Sequence, residues 1–345
     1  MARRSDSGSL LQDLVALAVP FCCQAELLVP RTGPGRRPDI PDWLLAVLIM
    51  VAVLKRKKTK SAQYCFLCAH RDDLALWIGD DRFPSRSTYF DRYRRGHRLF
   101  KEAIRLQGQQ LITEEVVDPE VVAVDKSLLD GLGPPWHKSQ RDRGEVPAGV
   151  DVETTWGYSD YHGWVQGYSY EVVVTASAGS VVCPLLVSAD TASASEASTF
   201  ADKIPALPPQ TKYVDADSGY DVDDYAQKIE EDERGKPTGR RFLCPENPRN
   251  GTGQRPGPAA ERRRKRRAFL KSRRGRKIYR RRGQTVEPFH ERLSRAFELE
   301  RAWHRGLDNN RTQVLAAVFA YQVLLRYNHR LGRPVAQVKD IVDRL

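Results

Sequence analysis

Three carboxylates in this sequence stand where phosphodiester chemistry can be built. Asp125 closes the β-branched run VVAVDKS, Asp217 lies in YVDADSGY beside a Ser-Gly turn, and Glu287 opens the stretch VEPFHERL. An acid at the end of an apolar strand must project from its sheet or be compensated, because an unpaired buried carboxylate is very costly. Alternation along YVDADSGY lets one of Asp215 and Asp217 face a core while the other projects. Glu287 reads as a helix start: Thr285 is a suitable cap, Pro288 is tolerated in a first turn, and the helix dipole keeps a carboxylate there ionised. Singly, each acid also fits a plainer role, as a salt-bridged residue, a turn Asp or a favourable N-terminal Glu. Together, two strand ends and one helix start could converge at one sheet edge. They would hold two Mg²⁺ ions, or Mn²⁺, about 3.5–4 Å apart, which activate the attacking oxygen and stabilise the leaving one.

Such a site would repel a polyanion unless positive charge lay beside it. Residues 261–282 carry fourteen Arg and Lys in twenty-two positions and run straight into the Glu287 segment. Arg262, Arg263, Arg264, Lys265, Arg266, Arg267, Arg273 and Arg274 are candidates for contacts to a phosphate backbone. The whole chain repeats the bias, with a formal charge of +12 and a pI near 9.5. That balance implies a polyanionic partner. A membrane surface is the weaker alternative, since only AFL and IY interrupt the tract and no sustained apolar face results.

The elements that must position these residues fall into three blocks. Residues 1–112 read as helical, and FPSRSTYFDRYRRGHRLF predicts a short helix capped by Ser87 or Thr88 that bears Arg92, Arg94, Arg95 and Arg98. After Pro119 strands appear: VVAVDKS ends at Asp125, and GWVQGYSYEVVVTASAGSVVCPLLVSA reads as a hairpin turning near Gly179. A helix over SEASTFADKIPAL capped by Ser195, a strand in TKYVDADSGY, a polar helix in DVDDYAQKIEEDE and a strand in GRRFLCPENPR follow. This order predicts a mixed α/β sheet with flanking helices over 113–310. It is interrupted by a Pro/Gly-rich and basic insertion at about 247–282, and residues 311–345 supply a C-terminal helix that packs on the core.

At 345 residues and 41% apolar content, a sizeable buried core is expected. The longest apolar run, Trp43 to Leu54, is too short for the roughly twenty residues that cross a bilayer. A cytoplasmic protein is the expectation. Six cysteines in a chain of this length are no disulfide scaffold. Cys65, Cys68 and His70 form the one cluster resembling metal ligands, but no second pair completes a zinc site, and two thiols on an apolar helix face is the preferred reading.

The segments VVAVDKS, DADSGYD and YRRRGQTVEPFHERLSR resemble the DDE transposases of bacterial insertion sequences, whose catalytic core has an RNase H-like fold. FPSRSTYFDRYRR also resembles the close of that family's helical N-terminal DNA-binding domain, and VLAAVFAYQVLLRYN its closing helix. The resemblance implies catalytic, metal-holding roles for Asp125, Asp217 and Glu287, with Tyr279, Arg282, Arg292 and Arg295 placing phosphate. It further implies Mg²⁺-dependent cleavage at element ends, strand transfer into target double-stranded DNA, and a homodimer or larger synaptic assembly at the nucleoid. The sequence departs from the family around the Glu. Tyr279 fits, Arg282 falls one residue early, Gly283 takes the usual Arg place and Ser294 the usual Lys place, while GYSYE carries Ser169 and Glu171 where Lys and His often stand.

Overall fold

A computed structural model describes residues 3–30, 38–161, 163–248 and 257–345. Six helices open the chain: α1 (Arg3–Leu28), α2 (Asp42–Leu54), α3 (Lys60–Ala69), α4 (Arg71–Ile78), α5 (Arg86–Tyr93) and α6 (Gly96–Thr113). In α2 every residue from Leu44 to Leu54 is buried. A helix apolar on all sides belongs at the centre of a bundle, and α2 is packed there by α1, α6 and a late helix of the chain. Ser85, directly after Pro84, caps α5 by accepting from the Thr88 amide at 3.2 Å, and neither Ser87 nor Thr88 takes that place. Arg92 is not free, since it donates to the Ile40 carbonyl and pairs with Asp42; Arg94 and Arg98 are exposed.

The α/β part then runs β1 (Val121–Asp130), α7 (Lys138–Asp142), β2 (Thr155–Ser159), β3 (Gly163–Thr175), β4 (Pro184–Thr191), α8 (Glu196–Thr199), β5 (Tyr213–Asp215), α9 (Asp223–Glu230) and β6 (Arg241–Leu243). It ends in α10 (Pro258–Lys271), α11 (Arg273–Tyr279), α12 (Arg281–Phe297), α13 (Leu307–Arg330) and α14 (Lys339–Val342). The mixed sheet has the order β2-β3-β1-β5-β6, with β4 also paired to β3. β1, β3 and β4 are antiparallel neighbours, whereas β1, β5 and β6 are parallel. The expected hairpin is present: β3 and β4 are joined through Gly179, whose φ of 74° is the left-handed conformation that glycine adopts without strain.

Two local expectations change. β1 continues to Asp130, so Asp125 is mid-strand and not terminal. Only Glu196–Thr199 is α-helical in the predicted SEASTFADKIPAL helix, with Ser195 as its cap and a short 3-10 turn at Ile204–Ala206. Residues 249–256 of the Pro/Gly-rich insertion lie outside the described residues.

Residues 10–28 of α1 have the length and apolar content of a bilayer-crossing helix, a stretch that a search for uninterrupted apolar runs passes over. Half of it is buried inside the fold, as in a core helix. One hydrophobic core spans Leu11 to Val342, and within it α13 packs on α1, α2 and α6 as well as on β4. Neither expected boundary, at 112 or at 310, coincides with a break in this core.

Candidate functional site

Asp125 and Asp217 are brought together by the shortness of β5. The parallel pairing of β1 with β5 ends at Ala123 opposite Asp215, two residues before Asp125. Beyond that point the chain turns, leaving the edge of β1 open where the Asp125 carboxylate stands. Asp217 caps the 3-10 turn Ser218–Tyr220 by accepting from the Gly219 amide at 2.8 Å. Gly219 leaves room for close approach: a Cβ there would crowd the Glu196 carboxylate and lie 3.0 Å from Asp217 Oδ1, so Glu196 would have to move. Asp215 is wholly buried and Asp217 half-buried, not by strand alternation, which puts i and i+2 on one face, but because β5 ends at Asp215 and Asp217 already belongs to the turn.

The two carboxylates act on one another. Burial raises the Asp217 pKa, the Asp125 charge raises it further, and Arg282 opposes both. Glu196, at the start of α8, joins them: burial and then the Asp217 charge push it up to about 6. Asp215, beneath the pair, is pushed up to about 7 by burial against the opposing pull of Arg282 and Arg281, and neither of its oxygens has a hydrogen-bond partner. Positive charge comes from α12, where Arg282 Nη1 lies 3.2 Å from Asp125 Oδ1; on the same helix His290 Nε2 lies 3.6 Å from Oδ2. Burial works against the Arg282 charge, but Asp125, Tyr279 and Asp217 outweigh it and raise its pKa.

Glu287 is placed differently from the sequence expectation. α12 begins at Arg281, so Glu287 lies in its second turn and Pro288 inside it. Thr285 does not cap; its hydroxyl donates back to the carbonyls of Arg281 and Arg282. Val286, Phe289, Leu293 and Phe297 are buried along one face and carry the helix through the proline. The Glu287 side chain is exposed, its Oε1 3.6 Å from where a Cβ on Gly283 would stand. Among the described residues, no three of His, Cys, Asp and Glu gather closely enough to hold a metal ion. The donor chemistry nevertheless fits a divalent cation. Two neighbouring carboxylates, of which Asp217 has its proton affinity raised by burial and by the Asp125 charge, offer the oxygen donors that a hard cation takes, and Arg282 supplies positive charge at Asp125.

The basic tract divides in two. On α10, Arg262 pairs with Asp223 and Glu231, Arg263 lies 3.7 Å from Asp221, Arg264 and Lys265 pair with Glu261, and Arg267 pairs with Glu246. Arg266 is buried against Asp221 and stacks near the Phe242 ring, so it is not presented to a phosphate as its sequence position suggested. From the end of α10 through α11, Lys271, Arg273, Arg274, Arg276, Lys277 and Arg280 are exposed and have no ion pair with a described carboxylate. Tyr279 is half-buried, with burial pushing its hydroxyl up to about 12. Arg292 is half-buried, while exposed Arg295 pairs with Glu291 at 2.5 Å.

Glu196 was missed by sequence reasoning, because a Glu after a capping Ser signals only a helix start. Cys65 and Cys68 are exposed and do not line an apolar face, and His70 lies 3.9 Å from Asp73. A cleft of about 450 Å³ lined by His97, Lys101, Asp190, Asp202 and Arg311 shares no residue with the acid cluster.

Comparison with known proteins gives one result for this chain. Residues 117–323, well over half of the sequence and including all three acids, match the family of the transposase DDE domain. No curated protein and no solved structure matches it. The chain therefore belongs to the DDE-domain transposases.

Proposed function

We propose that this protein is a DNA transposase of a bacterial insertion sequence, cleaving DNA strands at the element ends and transferring them to target DNA. The observation that carries the reading is the juxtaposition of Asp125 and Asp217 at the open edge of β1, faced by the helix that bears Glu287. Asp125 and Asp217 would hold the divalent cations, Mg²⁺ or Mn²⁺, with Glu287 completing the set. When bound, such ions supply Lewis-acid stabilisation to the phosphoryl oxygens. Arg282 neutralises Asp125 meanwhile, and is placed to turn to a phosphate when that carboxylate is taken up. The exposed cations of α11 lie in the same chain segment as α12 and would guide the DNA backbone past the acids. The N-terminal helices, with exposed Arg94 and Arg98, are proposed as the end-recognising part, and the acting species as a dimer or larger assembly in the cytoplasm at the nucleoid.

A competing reading, a DNA-binding derivative without catalysis, draws on the exposed Glu287 and on Arg282 seated at Asp125. A stand-alone nuclease would hydrolyse without joining. The deciding experiment incubates the protein and Asp217→Asn with Mg²⁺ and duplexes taken from the DNA flanking the reading frame. Nicking and joined products are expected from the parent protein only, with DNA binding retained by the variant. Undiminished nicking by pure Asp217→Asn would sink the assignment.

A further inference from the structure

Helix α12 brings a second group to Asp125 that the reading above leaves unused. His290 is largely buried, with 13% of its side chain exposed. Its Nδ1 lies 2.9 Å from the Tyr170 hydroxyl, and the two rings meet edge to face at 5.1 Å. Its Nε2 has no hydrogen-bond partner and stands 3.6 Å from Asp125 Oδ2. A buried ring nitrogen without a partner is costly, and this one lies beside a carboxylate.

The sheet register explains how the imidazole is held there. Ser127 on β1 is directly opposite Tyr170 on β3, so the two side chains share one face of the sheet. Asp125 lies two residues before Ser127, hence on the same face of the sheet. Tyr170 on β3 thus holds His290 over the same face from which Asp125 of β1 projects. An Nδ1 that accepts from the Tyr170 hydroxyl leaves the imidazole proton on Nε2, the nitrogen on the Asp125 side of the ring. Histidines and carboxylates at metal centres are oriented by outer partners of this kind.

We propose that His290, fixed by Tyr170, is a positioning residue for Asp125. Its Nε2–H orients Oδ2 and thereby presents Oδ1, the oxygen now paired with Arg282, to the divalent cation. No proton changes owner in this arrangement. It rests on the proposed role of Asp125 as a cation-holding residue, and the test separates the two.

Mn²⁺ alone is titrated into the full chain, with free Mn²⁺ read by electron paramagnetic resonance, for the parent protein, Asp125→Asn, His290→Ala, His290→Gln and Tyr170→Phe. Weakening by about 10- to 100-fold is expected for His290→Ala, the range for loss of an outer partner at a metal site. Gln at 290 can place an amide N–H near Nε2 and should restore most of the affinity, and Tyr170→Phe should show a smaller loss in the same direction. Tyr170→Phe removes one oxygen and still reads the relay if His290→Ala fails to fold. Asp125→Asn with Mn²⁺ affinity equal to the parent would overturn the reading of the site itself. A weakened Asp125→Asn beside unchanged His290→Ala and Tyr170→Phe would overturn the relay alone, as would His290→Gln as weak as His290→Ala.

Discussion

The division of the basic tract makes a quantitative prediction about DNA binding. Replacing Lys271, Arg273, Arg276 and Lys277 by Gln removes four exposed cations that have no described carboxylate partner. Three of the cations from the end of α10 through the start of α12 then remain: Arg274, Arg280 and half-buried Arg281. If each of the seven neutralises one phosphate, the salt slope of the parent is about −6 and that of the variant between −2 and −3. Raising salt from about 50 to 200 mM should then weaken the parent roughly 6,000-fold and the variant only about 40-fold. The assay is fluorescence anisotropy of a short labelled duplex at several salt concentrations. A matched control changes Arg264, Lys265 and Arg267 on α10, whose charges are already met by Glu261 and Glu246, and should shift the slope by less than about one unit. Equal slopes for the parent and the α11 variant, or a larger change in the α10 control, would refute the partition.

Two further outcomes follow from buried charges. Arg266→Ala leaves Asp221 buried without its principal partner and should lower stability by about 3–5 kcal/mol, read as a fall in the denaturant midpoint at unchanged slope; a midpoint within error of the parent contradicts the pairing. Asp215 has its folded pKa raised to about 7 from an ordinary 3.8, so the unfolded chain releases this proton first and the group's contribution to stability declines as pH rises from about 4 to 7. That span corresponds to about 4 kcal/mol. Asp215→Asn should remove the decline, and thermal unfolding curves of parent and variant that run parallel across this pH range would show that Asp215 carries no such load.

The sequence made the acids legible through their neighbours: β-branched residues before Asp125, and the Ser-Gly turn after Asp217 that lets other side chains approach. What it hid was always a matter of partners. β1 passes beyond Asp125 because Lys126 and the residues after it pair with β3, and Lys126 opposite Glu171 breaks the apolar pattern without breaking the strand. Pro288 read as a first-turn proline, yet the buried face from Val286 to Phe297 outweighs the loss of one backbone hydrogen bond and extends α12 back to Arg281. The α10 arginines read as solvent-facing because Asp221, Asp223, Glu231 and Glu246 lie 21 to 45 residues away and return to them only on folding.

The placement of α13 bears on where the chain could be divided. This helix touches the N-terminal bundle along α1, α2 and α6 and the sheet through β4, and its residues from Asn310 to Asn328 are almost all buried. A cut after residue 112 would strip one side of α13 to solvent and leave an apolar face where a domain surface should be. Removing the first hundred residues would therefore expose part of the same core on which β4 and the sheet rest.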